Sequence, residues 1–228
     1  PQGTRLGAFR DNVAHSNGRY GLRIFHLHTP TVDPCSEISE TNPSVPATYL
    51  NFTGWKNKRA GIIGETLGEL TFSNIKTADN LQSGVELSVG GMHGMKKLII
   101  KNVLAVGLTE NAADNGVNTN DPIVYNYYWD RPARGIVTSR NDGILVSDVR
   151  FYDWPAGTVA FMDCSHCESS PATDSGARTA FVEKVFYSSS FKGRKIQYNI
   201  PLRGIFRDLD GTMTGQIGWA TAYFPHND

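Results

Sequence analysis

The sequence predicts an all-β chain wound as a right-handed parallel β-helix, a solenoid with long lateral loops, on three observations. The first is a six-residue phrase, apolar-x-apolar-x-polar-apolar, at Leu70–Ile75, Leu98–Val103, Ile144–Val149 and Ala180–Val185. Side chains alternate along a strand, so residues one and three of the phrase face inward, and a bend after residue four turns residue six inward too. The second is a glycine followed by β-branched or apolar residues, at Gly61, Gly84, Gly135, Gly157 and Gly204, with intervals of 23, 51, 22 and 47 residues. Two intervals are single and two about double, the mark of a repeat in which each turn of chain stacks on the last, about 4.8 Å away. The third is that every stretch able to carry an amphipathic helix is broken by Gly, Pro or Asn within ~10 residues. Leucine-rich repeats share the period but need Leu at fixed spacings, whereas this chain mixes Val, Ile, Phe and Leu.

Corners between the short strands need tight bends or φ > 0, which Gly and Asn supply. Asn74, Asn80, Gly84, Asn102, Gly107, Asn141-Asp142-Gly143 and Gly157 are read as such corners. Three inserts interrupt the repeat. Residues Thr29 to Ala47 hold Pro30, Pro34, Pro43 and Pro46 and form an extended lateral loop. Residues Thr109 to Arg134 are polar and then aromatic, and Ser165 to Arg178 are small and Ser-rich. A solenoid tolerates all three, because a loop leaving a corner does not interrupt stacking. The expected organisation is one domain over residues 1–228, with about seven to nine turns of chain. Neither end carries an evident cap, which leaves self-assembly open.

Composition narrows the function classes. Lys+Arg and Asp+Glu are both 22, so net charge is zero and nucleic acid is not an expected partner. No apolar run approaches the ~18 residues of a membrane-spanning helix. The opening Pro1-Gln2-Gly3-Thr4-Arg5 has no signal pattern, so either a signal has been removed or this is an internal piece of a longer chain. Three cysteines are too few for a disulfide scaffold and leave one thiol over. Asn51-Phe52-Thr53 is an N-glycosylation sequon, which with the cysteines points to an extracellular setting.

Several constellations are candidate sites. Cys164-Ser165-His166-Cys167 admits a redox pair, half a metal site or a small closed loop. Structural zinc takes four ligands and no second cysteine pair exists. A structural disulfide is the expectation, within Cys164 and Cys167 or between one of them and Cys35, and no metal or cofactor is implied. His26 and His28 alternate on a strand and face one side, the geometry for metal or acid–base work, while His15 packs at a corner. Glycosidic cleavage needs paired carboxyl groups; Glu65, Glu69 and Glu86 from adjacent turns, or Asp148 with Asp153, are the candidates. Asp208-Leu209-Asp210-Gly211 resembles the opening of a calcium loop but lacks the later ligands, so a tight turn is expected. Tyr125, Tyr127, Tyr128 and Trp129 either stack on sugar rings or clamp a loop to the solenoid.

Residues Asn12 to Phe25, with Gly18-Arg19-Tyr20-Gly21-Leu22 at their centre, resemble the fibrocystin and fibrocystin-L family of large cell-surface proteins. The likeness continues through Pro46-Ala47 with Leu50 to Asn57, Gly135-Ile136-Val137 through Val149-Arg150-Phe151, and Asp208 to Gly215, in the family's order. The resemblance implies a parallel β-helix region of an extracellular protein and reaches more distantly to the cell-surface hyaluronidases, whose catalytic motifs have no match here. Where the family often has a cysteine just after the tryptophan, Lys56 and Asn57 follow Trp55, so a local bridge to Cys35 is not expected. The function expected is a non-enzymatic structural module of the cell surface or matrix, presenting loops to glycans or proteins. The alternative is a hyaluronidase-like polysaccharide-degrading domain.

Overall fold

The computed structural model describes residues 3–25, 28–65, 67–87, 98–109, 133–138, 144–162, 178–197 and 204–221. Within them the chain is all β, without helix, and forms two sheets. It enters the larger sheet with β1 (Phe9–Arg10) and β2 (Val13–His15), crosses to the smaller with β3 (Tyr20–Ile24), and returns as β4 (Ala47–Leu50) and β5 (Thr53–Trp55). The alternation continues. β6 (Ala60–Gly64), β8 (Ser83–Leu87), β10 (Arg134–Val137), β12 (Val159–Met162) and β14 (Arg194–Gln197) lie in the smaller sheet. Between them β7 (Leu70–Ala78), β9 (Leu98–Val106), β11 (Ile144–Tyr152), β13 (Arg178–Tyr187) and β15 (Gly204–Asp208) lie in the larger. Each strand pairs in parallel with the strand one level before it. The exception is β16 (Gly218–Thr221), which runs antiparallel to β15.

The four copies of the apolar phrase fall on β7, β9, β11 and β13, with Leu98, Ile144 and Ala180 directly paired. In all four, residues one, three and six are buried: Leu70, Phe72 and Ile75 are fully enclosed, as are Ile144, Val146 and Val149. The bend that permits this is the fifth residue, which adopts left-handed backbone at Asn74 (φ 56°), Asn102 (φ 55°), Asp148 (φ 53°) and Lys184 (φ 55°). A single left-handed residue breaks the strand's alternation, so that residues three and six of the phrase, an odd and an even position, both face the core. Asn and Asp tolerate this conformation; at Lys184, the backbone N–H donates to Asp210 Oδ2 at 2.8 Å.

The glycine phrase has a different cause from the one the sequence suggests. Gly21, Gly61, Gly84 and Gly135 stand in one row across the smaller sheet, and Ala160 holds the next position. None of the four has positive φ. They are glycine because a Cβ on Gly61 would lie 2.7 Å from the Gly84 carbonyl oxygen, and one on Gly84 2.7 Å from that of Gly135. Gly157, by contrast, has φ 88° and belongs to the turn before β12, and Gly204 opens a strand of the other sheet. Asn80 is also not a left-handed corner. Its Oδ1 accepts the Asn57 amide at 2.9 Å, as Asn57 Oδ1 accepts that of Asn17, and the chain ends on the Gly54 carbonyl. This asparagine row, buried at Asn57 and Asn80 and exposed at Asn17, satisfies polar groups between three successive levels.

The insert after β3 folds as a compact knob. Asn42, 6% exposed, donates to the carbonyls of Asp33, Ser36 and Glu37 and accepts the Asp33 N–H at 2.8 Å. Asp33 itself accepts the Ser36 hydroxyl and the Cys35 N–H, which hold its carboxyl below the ordinary value. Of the other two inserts, Thr109 to Arg134 and Ser165 to Arg178, residues 110–132 and 165–177 lie outside the described residues.

Asp208, 1% exposed, accepts the N–H groups of Gly211 and Thr214 and the Thr214 hydroxyl, and Met213 is fully buried beside it. Asp210 accepts Thr212 and Lys184 donors; burial opposes its ionisation, but these hydrogen bonds outweigh it and lower its pKa. The segment is therefore a hydrogen-bonded turn, and it leads β16 back over β15, turning the exposed edge of the larger sheet.

Candidate functional site

The left-handed residues do more than bend the strands. Register places Asp11, Asn51, Asn74, Asn102 and Asp148 in one row across five levels. Their side chains form a ladder: Asn51 Nδ2 donates to Asp11 Oδ1 at 2.8 Å, Asn74 Nδ2 to Asn51 Oδ1 at 2.9 Å, and Asn102 Nδ2 to Asn74 Oδ1 at 3.0 Å. Asp148 has no amide to donate, and the ladder stops there. The row lines an open groove of about 1090 Å³.

One wall of the groove is the next outward row, Val13, Thr53, Lys76, Leu104 and Arg150, and beyond it lie Val106 and Tyr152. Charge in the groove is mixed, with Lys76 and Arg150 in the wall and Asp11 and Asp148 in the ladder row. Arg150 approaches Asp148 at 3.7 Å with both half exposed, a solvent-screened pair of little worth to stability. Of the aromatic residues described, Tyr152 lines the groove; register continues its row to Trp55, on which His15 stacks at 4.4 Å, and Tyr152 lies 5.9 Å from Phe186, which follows Arg150 in the outward row and is 50% exposed.

The structure distributes the sequence candidates unevenly. It brings Asp148 and Asp153 to the same groove. Glu65 instead pairs with Arg23 at 2.8 Å, Glu69 accepts the Ser44 hydroxyl at 3.1 Å, and Glu86 is buried and accepts the Ser83 hydroxyl at 2.9 Å. These three are engaged within the fold, and none lines the groove. Asn51, the sequon residue, is exposed at the groove's margin with its amide in the ladder. Cys35 is exposed and forms no disulfide within the described residues. Cys164, Cys167, Tyr125, Tyr127, Tyr128, Trp129 and His26 lie outside them. No group of three or more His, Cys, Asp or Glu able to hold a metal occurs among the described residues.

His28 is half-buried, bridges to Leu67, and meets the Tyr49 ring edge-on at 6.2 Å. Its Nε2 is enclosed without a hydrogen-bond partner among the described residues, and burial holds its pKa below the ordinary 6.5. Because the unfolded chain binds the proton more readily, stability is complete above about pH 6.5 and declines as pH falls toward the folded-state value. Asp33 and Asp210 contribute only in a lower window, since their depressed values keep them ionised until below about pH 4. Chemical denaturation between pH 7 and pH 5 is expected to show this slope, and His28→Leu to flatten it. A slope unchanged in the variant would assign it elsewhere.

Sequence reasoning missed the groove's aromatic end and the ladder. Tyr152 lies three residues beyond the last position of the Ile144 copy and Phe186 one beyond that of the Ala180 copy, so the repeated phrase does not bring them together; the rings lie 5.9 Å apart only because β11 and β13 are paired.

No protein-family model matches the chain. Fibrocystin-L of Homo sapiens is 26% identical over 229 residues, and that of Mus musculus 25% over 236; each alignment covers 97% of this chain. The chain spans 5% of the length of these curated relatives. Identity at this level over nearly the whole chain makes it a distant relative of fibrocystin-L. No helix among the described residues is long and apolar enough to cross a membrane.

Proposed function

We propose that the chain is a single right-handed parallel β-helix domain of a fibrocystin-type extracellular or cell-surface protein, structural rather than catalytic, which presents its lateral loops to glycans or proteins. The observation that carries this is the parallel register itself. Among the described residues, thirteen parallel pairings link strands of successive levels while the chain passes alternately from sheet to sheet, the connectivity a solenoid requires. The stacked side chains make a stiff scaffold, and inserts of different length leave it without disturbing the levels. The distant relation to fibrocystin-L supports the surface location. In this reading Asn51 carries an N-glycan, Cys164 pairs with Cys167 or one of them with Cys35, and the aromatic run Tyr125 to Trp129 offers flat faces to sugars.

A second reading has one observation in its favour: Asp11, Asp148 and Asp153 share a groove, and polysaccharide cleavage needs paired carboxyl groups. Purified protein secreted from mammalian cells separates the two. The structural reading expects a glycosidase-sensitive gel shift that Asn51→Gln removes, and hyaluronan whose viscosity stays constant over hours. A steady fall in viscosity, lost in Asp148→Asn, would make the chain an enzyme.

A further inference from the structure

We infer that the groove between Asn74 and Tyr152 binds an uncharged, β-1,4-linked oligosaccharide laid across the levels, one sugar per rung. The inference deepens the glycan-contact reading and rests on it, but moves the contact from the loops to the scaffold. Each amide of the ladder is held by its neighbours, so its orientation costs little further entropy on binding. An asparagine has two N–H donors and two acceptor lone pairs on its oxygen. Asn74 spends one donor on Asn51 and one lone pair on Asn102, which leaves one of each; Asn102 spends one donor and keeps the other. A spare donor beside a spare acceptor matches a sugar hydroxyl, which both donates and accepts.

Spacing and charge narrow the ligand. Rungs recur at the strand separation of about 4.8 Å, nearly the advance per sugar of an extended β-1,4 chain, whereas a peptide strand repeats same-face groups only every ~6.6 Å. Along this part of the groove Lys76 and Arg150 are matched by Asp148 and Asp153, with Arg150 and Asp148 3.7 Å apart. A polyanion such as hyaluronan gains nothing from so balanced a surface. At the end of the row Tyr152 and the half-exposed Phe186 give apolar faces on which a sugar ring can stack.

Isothermal titration of the protein with cellotetraose and chitotetraose, against a hyaluronan tetrasaccharide, tests this. At least one neutral probe is expected to bind, and hyaluronan to bind more weakly. Asn102→Gly, which keeps a residue at ease with positive φ, and Phe186→Ala, at an exposed site, are each expected to weaken the neutral probe about tenfold. Failure of both neutral probes to bind, or tighter binding of hyaluronan, overturns the inference. So does full affinity in Phe186→Ala, a variant with little structural risk; in that case glycan contact through the loops survives and the groove does not.

Discussion

Truncating Phe151 to alanine is expected to lower the unfolding free energy by about 3–5 kcal/mol, the cost of removing a large ring from a site that cannot collapse around the void. Phe151 is fully buried on β11 and ties the two sheets together. Its ring meets Phe161 of β12 edge-on at 5.2 Å and Trp154 at 5.9 Å, and stacks on Tyr187 of β13 at 5.5 Å with 14° between planes. Trp154 is itself anchored through Nε1 to the Ala105 carbonyl at 3.0 Å, so it has little freedom to fill the space. Strands held on both sides by parallel ladders restrict relaxation further. Urea denaturation gives the measurement: a midpoint shift worth less than about 1 kcal/mol would mean that the ring does not carry this part of the core. Phe151→Leu keeps most of the volume and is expected to lose clearly less.

Gly84→Val is the second large effect. A Cβ at Gly84 would lie 2.6 Å from Thr77 Oγ1 and 2.7 Å from the carbonyl oxygen of Gly135. The Gly135 oxygen belongs to a strand paired on both sides and cannot move aside, so even one methyl costs about 1–3 kcal/mol and the branched side chain more. Thermal melting of Gly84→Ala and Gly84→Val should therefore fall in that order. The same row supplies its own control: Ala160 already carries a Cβ at the next position, and Ala160→Gly is expected to cost only about 1 kcal/mol, the entropic penalty of glycine in a strand. Equal stability of Gly84→Val and the unchanged chain would contradict the close approach of these strands.

These two sites differ in how far they could be read in advance. The inward position of Phe151 follows from alternation alone, since Val149 and Phe151 continue the pattern of the repeated phrase. Gly84 was legible as a recurrent glycine but its reason was not. A requirement for positive φ is local, whereas the actual cause, a carbonyl oxygen from a strand 51 residues later, is visible only once Gly84 and Gly135 are neighbours. The ladder shows the same divide. Asn74 and Asn102 were legible as bends because asparagine tolerates left-handed backbone by itself. That each donates to the asparagine of the level below, 23 and 28 residues earlier, was not, because the inserts make the repeat irregular. Asn42 at the heart of the first insert was likewise hidden among prolines and polar residues until its donors met three carbonyls.

By itself, then, the sequence determined that this chain is built of β-strands, which side chains face its interior, and where several strands bend, since each of those properties depends on a residue and its immediate neighbours. Only the tertiary structure decided which residues line a common groove, which carboxylates are engaged elsewhere, and why the glycines align. Those outcomes depend on register across segments of unequal length, and register is set by hydrogen bonds and packing between strands far apart in the chain.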